Sequence, residues 1–305
     1  MDALEHLLRA PAEHVPARDV MTWLVHLDAC PFASLVDRAL WAGFEADRLG
    51  HAFAGGYEAA LARLVGGEDV APGPLPRRSL AATEANGAHP RAIETRLTRE
   101  GGALALRGTK TFATLASHAT ELLVVASRGP DPDGRNRLAL VRVRADAPGV
   151  AIEDRSPTPF APEIPHARLT LDVTVAPADV FPGDGYDAYL KPFRTIEDLY
   201  VLAAALGYVM KSARAFRFDG AVAERAAALA LAVRELARRG PSDPVTHLLL
   251  AGAFEDARAL LVERDAEWEK ALPGVRDRWR RDVGLLVIAE AARTARTAAA
   301  WRALG

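Results

Sequence analysis

The chain has 305 residues, 50% hydrophobic and 26% charged, the balance of a globular protein with enough length for a sizeable core. Its formal net charge is −2, from 38 basic and 40 acidic residues, so it has no basic excess to neutralise phosphates, and no nucleic-acid partner is expected. A single cysteine, Cys30, excludes an intramolecular disulfide framework and any multi-cysteine metal centre.

The first residues, Met1-Asp2-Ala3-Leu4-Glu5, are acidic and lack a basic stretch, so no signal peptide is expected. The most apolar stretches, such as Val201 to Met210, are shorter than the roughly 20 residues that span a bilayer. These features predict a reduced, cytoplasmic protein with no membrane segment. Residues 1–76 read as an N-terminal helical domain. From Ser34 to Val65, Val36, Leu40, Phe44, Leu49, Phe53, Leu61 and Leu64 recur at helical spacing, with Gly55-Gly56 predicting an interruption. The run from Ala71 to Pro76, rich in proline, predicts a linker.

Residues 77–194 change to a period of two and predict a middle β-barrel domain of antiparallel strands. Arg168 to Val175 alternates polar and apolar, Val141 to Arg144 does the same, and Glu121 to Ala126 is a short apolar run. Turn signals at Gly101-Gly102, Pro130 to Gly134, Pro148-Gly149 and Gly183 to Gly185 separate them. Residues 195–305 are helical again. Thr195, with Asp198 three residues on, predicts a capped helix start. Gly220, Gly240-Pro241 and Pro273-Gly274 divide the remainder into a C-terminal four-helix bundle. The fold class is α+β: helices, a β-barrel domain, then helices.

Several common motifs are absent. In Gly108-Thr109-Lys110-Thr111 a threonine separates glycine from lysine, so it is not a phosphate-binding P-loop. No G-x-G-x-x-G follows a strand, no G-x-S-x-G occurs, and no His-Glu-x-x-His offers metal ligands, so no metal is expected.

Two segments of the β region carry a resemblance. Ser79-Leu80-Ala81-Ala82-Thr83-Glu84-Ala85-Asn86-Gly87-Ala88-His89-Pro90 is a short strand, then Thr-Glu, then a small-residue turn. Leu106-Arg107-Gly108-Thr109-Lys110-Thr111-Phe112-Ala113-Thr114 follows after a strand pair from Ala92 to Leu106, and Leu171 to Gly185 leads into the C-terminal helices. In this order they resemble the acyl-CoA dehydrogenase flavoenzyme family, of which the chain looks like a short, divergent member. The resemblance implies FAD as cofactor, an acyl-CoA or similar thioester as substrate, fatty acid metabolism as the setting, an electron-transfer flavoprotein as a partner, and a homodimer or homotetramer. It also implies residue roles. Thr83 would bond the pyrimidine edge of the flavin, Phe112 would pack on the ring, and Ala113 and Thr114 would lie at it, with the Thr114 hydroxyl near N5. The turn Gly87-Ala88-His89 would meet the pyrophosphate, where small residues admit close backbone approach.

The second half departs from that pattern. The family's Arg-x-x-Phe-Gly segment is not kept in Lys211 to Gly220, and the chain has no glutamine at all, so the Gln-x-x-Gly-Gly segment is missing. The closing Glu-Gly pair is missing too; Glu290 is the nearest acid there. For the catalytic base, Glu197-Asp198-Leu199-Tyr200 to Gly207 is similar to the bundle helix of those branches that carry the base there, which places Glu197 at the base position. Read from the residues alone, Glu197 is equally a helix-terminus acid favoured by the macrodipole. Asp198 replaces the family's arginine and adds a second carboxylate beside it. Three functions follow: a CH–CH oxidoreductase using FAD and Glu197, a non-catalytic homologue that has lost its grip on FAD and serves as a subunit or binding protein, or a family relative that uses flavin for monooxygenation.

Overall fold

Period-two alternation in the middle of the chain folds into seven strands of one sheet, in a computed structural model that describes residues 2–71 and 73–305. Met1 and Pro72, the latter within the expected linker, lie outside the described residues. The strands are β1 (Arg78–Ala81), β2 (Arg96–Glu100), β3 (Ala103–Thr114), β4 (Glu121–Pro130), β5 (Asn136–Arg144), β6 (Val150–Asp154) and β7 (His166–Val175). Their order is β1-β4-β2-β3-β7-β6, with β5 on the other edge of β4. The expected antiparallel barrel is a mixed sheet, because β1 and β2 both pair parallel to β4. Residues 82–95 form a turn and a 3-10 segment rather than a hairpin, so β2 restarts in the direction of β1.

Inward side chains of these strands make one apolar cluster, including Leu106, Leu122, Val124, Val141, Leu169, Leu171 and Val173. Full burial of each such side chain is worth about 1.5–3 kcal/mol, which fixes the register. A one-residue slip of β7 would turn its buried set to solvent. The chain divides into two compact units: this sheet unit (Pro76–Pro157 and Ile164–Arg194) and a helical unit (Met1–Leu75, Thr158–Glu163 and Thr195–Gly305).

The helical elements are α1 (Ala3–Arg9), α2 (Val20–His26), α3 (Leu35–Glu45), α4 (Leu49–Val65), α5 (Lys191–Ala215), α6 (Gly220–Ala237), α7 (Pro244–Leu261), α8 (Pro273–Asp282) and α9 (Glu290–Leu304). Gly55-Gly56 does not interrupt α4. A Cβ at Gly55 would come within 2.5 Å of the Ala42 Cβ, and one at Gly56 within 2.8 Å of the Tyr200 carbonyl oxygen. These glycines let α4 lie close against α3 and α5. The chain breaks instead at Asp47, whose fully buried carboxylate holds the Arg48 guanidinium (2.6 Å) and the His51 ring (2.7 Å).

Two further expectations change. α5 begins at Lys191, after a π-helical turn over Tyr186–Leu190, so Thr195 is no cap. Its buried hydroxyl lies 3.3 Å from His247 Nε2. The last bundle helix is split into α8 and α9 by a 3-10 turn, Val283–Leu286. α6 and α7 do start at acidic caps, where Asp219 and Asp243 accept the N–H groups of Ala221 and Val245.

Candidate functional site

Strand β3 sets the site through a bulge. Lys110 pairs with Leu169 and Ala113 with Ala167, so β3 spends one residue more than β7 between those pairs. The extra residue lets both Lys110 and Ala113 point inward, each 0% exposed, while Phe112 between them is turned out to 37% exposure. Re-aiming a side chain is what a bulge does to a strand. Ala113 is thus part of the sheet core, and of the three adjacent residues expected at the flavin only Phe112 and Thr114 offer side chains.

The Thr83–His89 segment is fastened to the same stretch. Thr83 bridges Phe112, and its carbonyl accepts the Thr111 N–H at 2.8 Å. Glu84 and Gly87 exchange backbone hydrogen bonds of 3.0 and 2.9 Å, closing a tight turn. Gly87 holds φ at +97°, a conformation that favours glycine, and a Cβ there would meet nothing within 4 Å, so the turn faces open space. Ala88 is half-buried. His89 is exposed and its Nδ1 accepts the Arg91 N–H at 3.2 Å, starting the 3-10 turn Pro90–Ala92.

A buried ion pair underlies this turn. Lys110 Nζ lies 2.6 Å from Glu84 Oε1 and donates to the Val125 carbonyl at 2.6 Å. Glu84 also accepts the N–H groups of Glu94 (2.7 Å) and Thr95 (3.0 Å). Burial pushes the Lys110 ammonium down to about 8, opposed by the Glu84 carboxylate, while the lysine and the backbone donors hold Glu84 below its ordinary value against its own burial. Sequence reasoning quoted both residues yet gave them no role. The available signal was position: Lys110 lies four residues after the apolar Leu106, on the same face of the strand.

His166, the first residue of β7, was also missed. It pairs with Thr114 in register, stacks on Phe112 (ring centroids 4.1 Å apart, 24° between planes), and places Nδ1 3.2 Å from the Thr114 hydroxyl. Arg155 closes the group. Its guanidinium sits 5.9 Å from the Phe112 centroid and donates to the Thr111 carbonyl at 3.0 Å, and its N–H donates to the His166 carbonyl. Burial and then the Arg155 charge push His166 down to about 4, so its ring is neutral at pH 7. Leu115 ends the strand at φ +59°, an uncommon conformation for a branched side chain, held by its N–H to the Pro165 carbonyl at 2.8 Å.

In the helical unit, Glu197 is half-buried in the second turn of α5, not the first. Its neighbour Asp198 is fully committed elsewhere: Arg293 donates to one oxygen at 3.1 Å and Arg296 pairs with the other. The second carboxylate is therefore neutralised from α9 and is not left facing Glu197 as a bare charge. Glu290 is exposed at the start of α9. A cavity of about 550 Å³ opens between α7 and α9, walled by Phe254, Leu261 and Trp301, and Glu197 does not line it. Among the described residues no group of three or more side chains could hold a metal ion, and no helix is long and apolar enough to cross a membrane.

Residues 79–173 match the family model for the acyl-CoA dehydrogenase middle domain. No curated protein matches the chain. Among solved structures, butyryl-CoA dehydrogenase from Megasphaera elsdenii is similar over 99% of this chain and 98% of its own, with 16% identity and a TM-score of 0.71. Glutaryl-CoA dehydrogenase from Mycobacterium smegmatis covers 99% and 93%, at 17% identity and a TM-score of 0.66. An FAD-dependent dehydrogenase covers 92% and 95%, at 16% identity and a TM-score of 0.59. Residues 79–173 thus carry the pattern of the family's middle domain, and the chain has the acyl-CoA dehydrogenase fold, in line with the resemblance read in the sequence.

The flavin end of FAD fits the residues present. Phe112 keeps an exposed ring, Thr114 a hydroxyl beside it, and the Gly87 turn faces open space. The adenine end has no matching glutamine segment in this chain.

Proposed function

We propose that the chain is an acyl-CoA dehydrogenase-like flavoprotein that oxidises the CH–CH bond of an acyl thioester. The observation that carries this reading is the convergence of Thr83, Phe112 and Thr114, drawn from two separate segments, on one side of a bulged strand. Bound FAD supplies the hydride acceptor. Phe112 packs against the ring, Thr83 holds its polar edge through the backbone, and Thr114 orients it by its hydroxyl. The turn at Gly87, Ala88 and His89 receives the pyrophosphate. Glu197 takes the α proton of the thioester on a carboxylate oxygen, with Asp198 kept out of that role by Arg293 and Arg296. An electron-transfer flavoprotein is the expected acceptor of the electrons, and assembly as a homodimer or homotetramer belongs to the same reading.

One observation favours a second reading, a non-catalytic homologue acting as a subunit or binding protein: the chain contains no glutamine for the second FAD-gripping segment. Turnover of a series of acyl-CoA thioesters by FAD-loaded protein, read with a dye acceptor, separates the two. Turnover lost in Glu197→Gln supports the enzyme; protein that neither retains FAD nor turns over any thioester favours the homologue.

A further inference from the structure

We propose that His166 is a positioning residue that fixes the direction of the Thr114 hydroxyl toward the flavin, and this rests on the flavoprotein reading above. Three observations meet at this ring. It is 9% exposed, it stacks on Phe112 at 4.1 Å, and its Nδ1 lies 3.2 Å from Thr114 Oγ1. The ladder places the two residues opposite each other, so the contact is set by backbone register and not by a flexible side chain. Ser79 adds to the rigidity by donating its hydroxyl to the Thr114 carbonyl at 2.7 Å.

A hydroxyl has one proton and two lone pairs. We assign His166 the Nε2–H tautomer, in which the bare Nδ1 accepts that proton and Thr114 turns its lone pairs outward. The hydroxyl is then an acceptor and not a donor. A flavin N5 is an acceptor when oxidised and carries an N–H when reduced. A Thr114 committed to His166 therefore favours the reduced form of the flavin, and His166 acts on it without touching it. Arg155 serves this arrangement, because its positive charge beside the ring opposes protonation of His166, which would turn Nδ1 into a donor and reverse the hydroxyl.

Two readouts test this. In apoprotein with ¹⁵N-labelled histidine, the His166 resonance, assigned by its loss in His166→Phe, is expected to show an unprotonated Nδ1 at pH 7 that changes in Thr114→Val. A protonated Nδ1 overturns the inference whatever FAD does. In FAD-loaded protein, His166→Phe keeps a stacked ring but frees the hydroxyl. The ratio of reduced to oxidised flavin at a fixed potential is expected to fall about tenfold, equal to about 30 mV for a two-electron couple, while FAD affinity is retained. His166→Asn, which restores an acceptor, is expected to recover part of that shift. FAD bound at an unchanged potential in His166→Phe overturns this inference alone; wild-type protein that takes up no FAD overturns it together with the flavoprotein reading.

Discussion

Each unit contains a buried pair of opposite charges at a place where the chain turns, and the two pairs do different work. In the helical unit, Asp47 joins Arg48 and His51 at the break between α3 and α4, also accepting the Ala17 N–H at 3.2 Å. Its effect is to end one helix and start the next. In the sheet unit, Glu84 and Lys110 tie the Thr83–Gly87 turn to β3, directly beneath the residues that converge at Phe112. The same chemistry is structural punctuation in one unit and scaffolding for a site in the other. A buried pair gains little net stability over apolar residues, but removing one partner is costly because it strands the other charge. The sheet pair should therefore be sensitive to breakage in both stability and cofactor uptake, and the helical pair in stability alone.

The largest expected effect is on chemistry. Glu197→Gln should lower thioester turnover by roughly 10²–10⁴-fold with FAD content unchanged in the absorption spectrum, which separates the base from the binding scaffold. Next, Lys110→Met should cost about 3–5 kcal/mol in urea unfolding and reduce FAD uptake, whereas Asp47→Asn should destabilise without a specific loss of FAD. Equal FAD loss in both variants would erase the contrast between the pairs. A smaller effect is expected from pH. The unfolded chain protonates His166 at its ordinary value of 6.5, while the folded chain resists down to about 4. The unfolded state thus binds more protons in that window, and stability should fall as pH drops from 6.5 toward 4, at up to ~1.4 kcal/mol per pH unit. His166→Phe should flatten that part of a urea-unfolding pH series. The smallest is Phe112→Ala, expected to weaken FAD by about tenfold, in line with an aromatic contact worth about 0.5–1.5 kcal/mol, with little change in the urea midpoint because the side chain is already exposed.

What the sequence made legible follows from which interactions are local. Strand β7 could be read directly, because one face is buried and its alternation is complete. The segment from Leu106 to Thr114 pointed to the site through its residues, although Ala113 proved to face the core. Strand β6 was missed; it has only five residues, none of them fully buried, too short and too weakly apolar a run to stand out. The parallel pairing of β1 and β2 with β4 could not be read from periodicity, since period says which face is buried and not which partner lies alongside. Gly55-Gly56 looked like a break, because in one dimension a glycine that admits a neighbouring helix is the same letter as one that ends a helix. Glu84, Lys110 and His166 were hidden for a related reason: each acquires its role only from a partner far away in the chain.

The central claim is that Thr83, Phe112 and Thr114 hold a flavin. The visible absorption spectrum of the protein, incubated with FAD and then desalted, tests it most directly. The account predicts flavin bands retained at about one FAD per chain in the wild type and diminished in Phe112→Ala. A colourless wild-type protein would contradict it.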